Sequence, residues 1–397
     1  MLIRKQYLDL LIKYKDIKLV KVITGVRRSG KSILLQQFKE YLISQGNDNE
    51  DIIYMNFESV EWDDIRTYKD LYNYIKSKYN NKKLYILLDE IQSVESWQKA
   101  VNSLLVDIDC DLYITGSNAY LLSSELTTLI AGRVATIKIY PLSFKEYISI
   151  YPFDKESKEE KLDEYLLHGG MPMLINMNRD NTLINNYLED IKEVILKKDV
   201  IERNRINDIP LLENLLKYVA STIGVFLTPS SICNELAKNG YNAHNETIDS
   251  YLKMLENAFI IYRAPRYNVQ GKQLLKTQGK YYFIDTGLRN ILNGISQYDS
   301  GSAYENIVYL ELLRRGYTVY VGKYNEMEID FIAIKPDETI YYQVCRSIMD
   351  EKVENREKSS LLLVNDNYPK IILTMDNVRN KTIDGIIVQN IIDFLLE

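Results

Sequence analysis

The chain has 397 residues, of which 46% are hydrophobic and 26% are charged, and its formal net charge is −6 at pH 7. This length favours two or three soluble globular domains, because a single hydrophobic core rarely grows beyond about 250 to 300 residues. No run approaches the roughly 20 apolar residues that span a bilayer, and the acidic balance argues against a protein that coats nucleic acid by net charge alone.

The amino terminus and the cysteines indicate the cellular compartment. The segment "MLIRKQYLDLLIKYKDIK" interleaves charged and apolar residues at helical spacing, which is not the pattern of an export signal. Cys110, Cys233 and Cys345 lie more than a hundred residues apart, so they form no C-x-x-C metal pair and predict no disulfide framework. We therefore predict a cytoplasmic protein without a membrane segment.

The first predicted elements are a buried strand, a glycine-containing loop and a helix. Residues 19–24 form a β-branched apolar run, "GVRRSGKS" at 25–32 satisfies G-x-x-x-x-G-K-[ST], and the following residues carry apolar side chains at helical spacing. This pattern predicts a phosphate loop whose backbone N–H groups and helix dipole bind phosphate. The predicted nucleotide-binding residues are Gly25, Val26, Arg27, Arg28, Ser29, Gly30, Lys31 and Ser32.

Individual side chains of this loop have different predicted roles. Lys31 is predicted to reach the β- and γ-phosphates and to act in catalysis, and the Ser32 hydroxyl to ligate Mg²⁺. Arg27 and Arg28 add two cations, which either contact phosphate or are solvated loop charges.

A second motif lies in "LYILLDEIQ" at 84–92, where five apolar residues lead into Asp89 and Glu90. Both carboxylates are predicted at the carboxyl end of a buried strand, where open α/β sheets bind ligands. We predict that Asp89 binds the hydrated Mg²⁺ and that Glu90 polarises the attacking water. With the strand candidate "DIIYMNFES" at 51–59, the sequence predicts a sheet of at least four parallel strands.

A further strand, "DLYITGS" at 111–117, ends in small polar residues. Ser117 or Asn118 either senses the γ-phosphate or caps the next helix, and the residue pattern alone favours neither role.

Five segments then carry a resemblance. They are "VITGVRRSGKS", "LLDEIQ", "LYITGSN", "AGRVATIKIYPLSFKEY" and "HGGMP", in this order. Together they resemble a large family of bacterial and archaeal AAA-type ATPases whose core is joined to a carboxyl-terminal domain of uncharacterised function. The resemblance implies an α/β P-loop fold with the sensor strand between the P-loop strand and the Asp-Glu strand. It also implies Ser117 or Asn118 as the sensor and ATP as the nucleotide.

Arg133 matches the Gly-Arg element of that family. An arginine there stabilises γ-phosphate charge in its own chain, reaches the nucleotide of a neighbour in a homo-oligomer, or pairs with a carboxylate and holds a helix. The sequence leaves these roles, and the oligomeric state, open.

We predict four domains: an ATPase core at 1–143, a helical lid at 144–205, a winged-helix domain at 206–297 and a nuclease-like domain at 298–397. In the lid, the charged stretch 154–164 is predicted to be flexible, and "HGGMP" is predicted to turn the chain, with an approach to the nucleotide as the alternative. His168 is one of only two histidines, so no histidine-based zinc site is supported.

The winged-helix prediction rests on Thr228 or Ser230 before a helix, a turn at Asn239-Gly240, a second helix and two strands. The second helix carries Glu246, Asp249 and Glu256 against Lys253, which suits a phosphate-lined groove poorly. The hairpin after it is basic and free of acids. It either contacts nucleic acid or packs between domains, and the predicted contacts are Arg263, Arg266, Lys272 and Lys276.

The last hundred residues resemble the PD-(D/E)XK nuclease fold. A helix with Glu305, a strand, the strand "EMEIDFIAI" with Asp330 and a further strand occur in that order. The fold needs Glu-x-Lys on the last strand, but this chain has Gln343-Val344-Cys345 there. We predict a vestigial site of Glu305, Asp330 and Gln343 that does not hydrolyse nucleic acid.

The sequence therefore predicts a Mg²⁺-dependent ATPase in which ATP binding and hydrolysis switch the carboxyl-terminal domains. Its partner through that half is DNA or a protein. One alternative is an ATP-gated nucleic-acid-processing enzyme with an active nuclease, and another is a slow nucleotide-dependent scaffold that binds a protein.

Overall fold

The computed structural model describes residues 2–119, 132–150, 156–271, 273–294, 300–378 and 381–397. The chain forms two compact units, Met1–Tyr140 with Asn257–Phe259, and Pro141–Glu256 with Ile260–Glu397. Within the described ranges, no helix combines the length and the apolar character that crossing a membrane requires.

The first unit is built on parallel strands: β1 (Val20–Thr24), β2 (Ile52–Asn56), β3 (Leu84–Asp89), β4 (Cys110–Gly116) and β5 (Val134–Lys138). They form one five-stranded sheet in the order β2-β3-β4-β1-β5. The P-loop α/β fold class is thereby confirmed. The position of β4 between β1 and β3 also confirms the strand order that the family resemblance implied.

Helices cover both faces of this sheet: α1 (Lys5–Tyr14), α2 (Lys31–Ser44), α3 (Tyr68–Lys78) and α4 (Trp97–Asp107). Val22 belongs to the core formed with α3 and α4, whereas its neighbour Ile23 belongs to the core formed with α1 and α2. Successive strand residues point to opposite faces, so a strand buried on both faces is apolar along most of its length. This explains the short apolar runs that predicted the strands.

The register of the sheet brings the ends of the central strands together. Thr24 of β1 is opposite Gly116 of β4, and Asn56 of β2 is opposite Asp89 of β3. Because all five strands are parallel, their carboxyl ends lie at one edge, which is where the predicted phosphate loop begins.

The second unit begins with helices: α5 (Phe144–Ile150), α6 (Lys158–His168), α7 (Asn181–Val194), a π-helical continuation (Ile195–Glu202), α8 (Ile209–Ser221), α9 (Pro229–Lys238), α10 (Asn245–Asn257) and α11 (Thr286–Asn293). The predicted flexibility of 154–164 is wrong for its second part. Ser157 starts α6 with a capping box, in which its hydroxyl accepts the Glu160 N–H and the Glu160 carboxylate accepts the Ser157 N–H. Residues 154 and 155 lie outside the described ranges.

The start of α9 confirms the predicted cap. Thr228 accepts the Ser231 N–H with its hydroxyl, and the helix ends at Lys238, followed by Asn239 as its cap and by Gly240, whose φ is 85°. In α10, the one basic residue Lys253 pairs with Asp249 at 2.6 Å, so that helix has no cation free for phosphate. The winged-helix identity itself stays a prediction.

Glu256 near the end of α10 gives the second unit a titratable carboxyl. Burial raises the pKa of Glu256 to about 7, against the attraction of Arg263. Because this pKa is higher in the folded than in the unfolded protein, the free energy of unfolding falls as the pH rises from about 4.5 to about 7.

Glutamine does not titrate, so we expect Glu256→Gln to make the free energy of unfolding less dependent on pH over this range, by about 1–2 kcal/mol. This value is smaller than the pKa shift alone implies, because Glu256 is only half-buried. Urea unfolding at pH 5 and pH 8 measures this, with Glu246→Gln, exposed on the same helix, as the control; equal pH dependence in both variants would refute it.

A mixed sheet completes the second unit: β6 (Phe226–Leu227), β7 (Ile261–Asn268), β8 (Gln273–Phe283), β9 (Thr318–Tyr324), β10 (Met327–Lys335), β11 (Glu338–Val344), β12 (Lys370–Thr374), β13 (Lys381–Ile383) and β14 (Ile386–Asn390). The order is β13-β14-β12-β11-β10-β9-β7-β8-β6. Its helices are α12 (Ser300–Arg314), α13 (Glu351–Leu363) and α14 (Ile391–Leu396).

The pairing of β7 with β9 joins two predicted domains in one sheet. These strands run parallel, with Tyr267 opposite Gly322. The hairpin of the predicted winged-helix segment and the predicted nuclease-like segment therefore share a continuous hydrogen-bonded sheet, although residue 298 was the predicted boundary between them. The four-domain division stays a prediction.

Candidate functional site

The phosphate loop connects β1 to α2 at the carboxyl edge of the five-stranded sheet. Gly25 has a φ of 154°, and a Cβ atom there would lie 2.2 Å from the carbonyl oxygen of Ile139, so only glycine fits. Gly30 adopts the left-handed conformation, with φ 98°, directly before α2. Val26 and Ser29 are fully buried and anchor the loop. The loop thus leads straight into the amino end of α2, whose first N–H groups have no partner within the helix.

Lys31 is the first residue of α2 and is buried. Its ammonium donates to the carbonyl oxygens of Gly25 at 3.1 Å and Val26 at 3.2 Å, and lies 3.6 Å from a carboxylate oxygen of Glu90. The ammonium therefore lies inside the curl of the loop, beside the second predicted acid.

Asp89 ends β3 and is fully buried. Its carboxylate accepts the Thr115 hydroxyl at 2.5 Å, the Tyr54 hydroxyl at 3.3 Å, and a hydrogen bond from Ser32. Burial raises the pKa of Asp89, while the Thr115 and Ser32 bonds act in the opposite direction. The two predicted magnesium ligands, Ser32 and Asp89, are thus brought into direct contact.

Glu90 follows β3 in the left-handed conformation, with φ 55°. A non-glycine residue held there costs of order 1–3 kcal/mol and indicates a site fixed by its surroundings. The Glu90 N–H donates to the Thr115 hydroxyl at 2.9 Å, and its carboxylate accepts the side-chain amide of Gln92. Burial alone would raise the pKa of Glu90, but Lys31, Gln92 and Arg27 outweigh it and hold that pKa below its usual range. The carboxylate is therefore ionised at neutral pH.

Thr115 near the end of β4 connects the two acids. Its hydroxyl donates to the Asp89 carboxylate and accepts the Glu90 backbone N–H. Thr115 is therefore a site residue, although the sequence showed it only as part of a strand end. Ser117 and Asn118 follow at the same edge and are 1% and 2% exposed. The predicted sensor residues therefore lie at the carboxyl edge with Lys31, and their sensing role stays a prediction.

The remaining loop residues face different surroundings. Arg27 pairs at 3.0 Å with Glu58, a residue that follows β2. The backbone of Arg28 is in the left-handed region, with a φ of 67°. Arg4, before α1, donates to the carbonyl oxygens of Ser29 at 3.0 Å and Tyr140 at 2.8 Å. The contact of Arg4 with Tyr140 was not predictable from local sequence patterns, because it joins positions 136 residues apart.

Arg133 lies at the opposite edge of the sheet. The Val20 N–H donates to the Arg133 carbonyl oxygen at 2.8 Å, and Val20 pairs with Val134, so Arg133 is beside the amino ends of β1 and β5. The phosphate loop leaves the carboxyl end of β1, about 15 Å away at the rise of a strand. The structure therefore does not bring Arg133 to Lys31, which corrects the interpretation that it stabilises the γ-phosphate of its own chain. A role toward a neighbouring molecule stays a prediction.

Comparisons with known proteins show which families this chain is similar to. Residues 18–148 match the AAA domain family, and residues 159–299 match DUF8612, a domain of unknown function. An uncharacterised protein of Haemophilus influenzae is 43% identical over 401 residues, covering 100% of this chain and 99% of that protein. The uncharacterised protein MJ1544 of Methanocaldococcus jannaschii is 30% identical over 382 residues, covering 92% and 81%.

This chain belongs to the AAA-type P-loop ATPase family. The Walker-type ATPase PABY2304 of Pyrococcus abyssi shares the fold, with a TM-score of 0.51 at 16% identity over 74% of this chain and 96% of that one. The family resemblance seen in the sequence motifs is thereby confirmed.

The carboxyl-terminal half of this AAA-type ATPase brings the predicted vestigial residues together. Glu305 on α12, Asp330 on β10 and Gln343 on β11 surround one recess of the second unit. The Gln343 carbonyl oxygen accepts the Asp330 N–H at 2.6 Å, and its amide donates to Glu357 at 3.1 Å. Lys280 of β8, which was not among the predicted site residues, lies 3.4 Å from Glu305 and 3.8 Å from Asp330.

The predicted nucleic-acid contacts are only partly described. Arg263 and Arg266 are half-buried on β7, and the Arg266 guanidinium lies 4.3 Å from the centre of the Phe226 ring. Lys272 and the side chain of Lys276 lie outside the described residues. Lys280, the last cation of this stretch, is buried in the acidic recess rather than exposed on a basic surface.

The "HGGMP" segment packs against a buried acid of the same unit. The Gly170 N–H donates to the Asp285 carboxylate at 2.7 Å, and a Cβ atom on Gly169 would lie 2.1 Å from that carboxylate. Gly169 also has a φ of 80°. Burial raises the pKa of Asp285 to about 6, although the N–H groups of Gly170 and Leu288 oppose the shift. The segment therefore does more than turn the chain: its glycines allow contact with the start of α11.

Proposed function

We propose that the protein is a Mg²⁺-dependent ATPase that uses ATP binding and hydrolysis to switch the arrangement of its carboxyl-terminal half. The observation that supports this most is the convergence of Lys31, Ser32, Asp89 and Glu90 at the carboxyl edge of one parallel sheet. Phosphoryl transfer to water requires a cation, a metal-binding hydroxyl and two carboxylates with different roles, and this buried site contains all of them.

The residues fit the nucleotide and the metal. The close approach of Gly25 to Ile139 leaves room for backbone only, and the amino end of α2 supplies N–H groups for phosphate. Ser32 and Asp89 present hard oxygen donors side by side, which is the ligand type that Mg²⁺ prefers. When bound, Mg²⁺ would supply charge neutralisation on the β- and γ-phosphate oxygens.

The protein's own groups divide the remaining work. Lys31 now shares its ammonium between two carbonyl oxygens and Glu90, and we propose that it transfers those contacts to the phosphates. Glu90, ionised and held by the Thr115 hydroxyl through its N–H, is then free to orient the attacking water and accept its proton. Asp89 keeps its place through Thr115 and Tyr54.

Chain continuity supports the proposed switch. Gly25 of the loop packs against the backbone of Ile139, and the chain enters the second unit two residues later, at Pro141. There the Leu142 N–H donates to the Gly170 carbonyl oxygen at 2.7 Å, and the Leu142 carbonyl oxygen accepts the Tyr165 hydroxyl at 2.7 Å. A shift of the loop on nucleotide binding would thus be transmitted along the backbone to the helices of the second unit.

Lys31→Ala tests the proposal. We expect wild-type protein to bind and hydrolyse ATP with Mg²⁺, and the variant to lose turnover by about 10²- to 10³-fold, because one preorganised donor to the transferred phosphoryl group is removed. Fluorescent ATP-analogue binding and phosphate release measure both steps. Lys39→Ala, a half-buried lysine on the same helix, is the control. Wild-type protein that neither binds nor turns over ATP would overturn the proposal.

A further inference from the structure

Lys280 is an almost completely buried lysine, 2% exposed, on strand β8 of the second unit. Its ammonium is surrounded by three carboxylates, at 2.5 Å from Glu328, 3.4 Å from Glu305 and 3.8 Å from Asp330. The carboxylates come from α12 and β10, whereas the lysine comes from the hairpin on the other side of β9. The sheet, rather than the local sequence, brings these charges together.

Some of the oxygens around the ammonium also accept hydrogen bonds from N–H and O–H groups. One Asp330 oxygen accepts the Val344 N–H at 2.9 Å, and the Gln343 carbonyl oxygen accepts the Asp330 N–H. The Tyr282 hydroxyl, two residues from Lys280 on the same face of β8, donates to Glu305 at 3.1 Å.

The electrostatics of the recess favour a fixed positive charge. Burial alone would lower the pKa of Lys280, but Glu305, Asp330 and Glu328 outweigh burial and raise it, so the lysine is charged at neutral pH. Burial and the neighbouring Glu305 raise the pKa of Asp330 well above its usual range. The recess therefore has a way to reduce its negative charge without a metal.

We propose that the Lys280 ammonium occupies the position that a divalent cation would need among Glu305, Glu328 and Asp330, and thereby keeps this acidic recess metal-free. Mg²⁺ requires about six oxygens near 2.0–2.1 Å, and an ammonium at the centre of the carboxylates denies it that arrangement. Repulsion between a divalent ion and an ammonium about 4 Å away weakens metal binding by on the order of a thousandfold. The carboxylate oxygens lie 2.5 to 3.8 Å from the ammonium, which are contacts to a lysine and are longer than those that a metal ion requires.

In the second unit, Lys280 of β8 takes the place of a metal as the counter-ion of the three acids. It does not stand in for the lysine of the absent Glu-x-Lys motif, because that lysine would act beside a metal. The recess then serves to fix β8 against α12 and β10. The inference is independent of ATP hydrolysis, so it can fail while the proposed ATPase function stands.

Mn²⁺ binding to the full-length protein without nucleotide tests it, by electron paramagnetic resonance titration. Wild type and Lys253→Met, which removes an exposed lysine paired with one acid, are expected to bind no Mn²⁺ in the recess. Lys280→Met is expected to gain one Mn²⁺ site per chain, with an affinity on the order of a thousandfold higher than that of the recess in the wild type. Adding Asp330→Asn to Lys280→Met is expected to remove this site. A site in wild type that Asp330→Asn abolishes, or a folded Lys280→Met without a new site, would overturn the inference.

A second measurement covers the case in which Lys280→Met does not fold. Adding Glu305→Gln removes one of the uncompensated carboxylates, so we expect the double variant to unfold at a higher temperature than Lys280→Met alone. A double variant that is no more stable than the single one contradicts the counter-ion role. Mn²⁺-dependent cleavage of labelled DNA or RNA by wild type, lost in Lys280→Met, would also contradict it, because the lysine would then assist a metal.

Discussion

Replacing Glu90 with glutamine is expected to slow ATP hydrolysis by about 10²- to 10⁴-fold while ATP still binds. Glutamine has nearly the same shape, but it cannot accept the proton of the attacking water. The backbone N–H of residue 90 still donates to Thr115, so the left-handed turn after β3 keeps its support. The loss of charge also releases Lys31 from its 3.6 Å contact, which favours nucleotide binding.

Single-turnover hydrolysis and equilibrium binding of a fluorescent ATP analogue separate the two effects. Glu58→Gln is the matched control, because Glu58 also pairs with a cation of the loop, Arg27, but is exposed, whereas Glu90 is buried. We expect the control to change turnover less than about threefold. Turnover in Glu90→Gln equal to that of the wild type would remove Glu90 from the role of base.

The nucleotide site was predictable because each part of it is encoded locally. Gly25 to Ser32 lie within eight residues, and Asp89 and Glu90 follow an apolar run that can only be a buried strand in this context. The parallel sheet then brings the two segments together at one edge, which is a general property of the fold. What the sequence did not show was Thr115 as the group that connects both acids, because its neighbours Ser117 and Asn118 are chemically equal candidates.

Features that depend on long-range pairing were beyond sequence reasoning. Arg133 was placed by a motif, but the register of β5 against β1 puts it at the far edge. Lys280 lies on the basic hairpin, and the pairing of β7 with β9 brings that hairpin to Glu305 and Asp330. The same limit applies to Asp285, whose partner Gly170 is 115 residues away.

Replacing Lys21 with methionine is expected to destabilise the first unit by about 3–5 kcal/mol. Lys21 is the second residue of β1 and is fully buried. Its ammonium pairs with Asp111 of β4 and donates to the Ile17 carbonyl oxygen at 2.5 Å. Burial lowers the pKa of Lys21, and Asp111 opposes that shift. Removal of the ammonium leaves a buried carboxylate with only neutral donors, the Tyr113 hydroxyl and the Asp16 N–H.

The double variant Lys21→Met/Asp111→Asn separates the interaction free energy of the pair from the destabilisation caused by leaving one partner unpaired. The asparagine carries no charge and still accepts from Tyr113 or Asp16, so we expect it to recover more than half of the loss. Urea midpoints of the four proteins of this mutant cycle measure the coupling. Lys18→Met, an exposed lysine before β1, is the control and is expected to shift stability by no more than about 0.5 kcal/mol.

The same cycle tests how β1 is placed in the sheet. Lys21 is opposite Tyr113, and Asp111 lies two residues along β4 on the same face, so the pair would be lost if β1 slipped by one residue. A slip of one residue would turn the lysine into the opposite core, among the apolar side chains of α3 and α4. The charged pair therefore fixes β1, which leads into Gly25, relative to β4, which carries Thr115. A single variant as stable as wild type, or a double variant less stable than both singles, would refute this role.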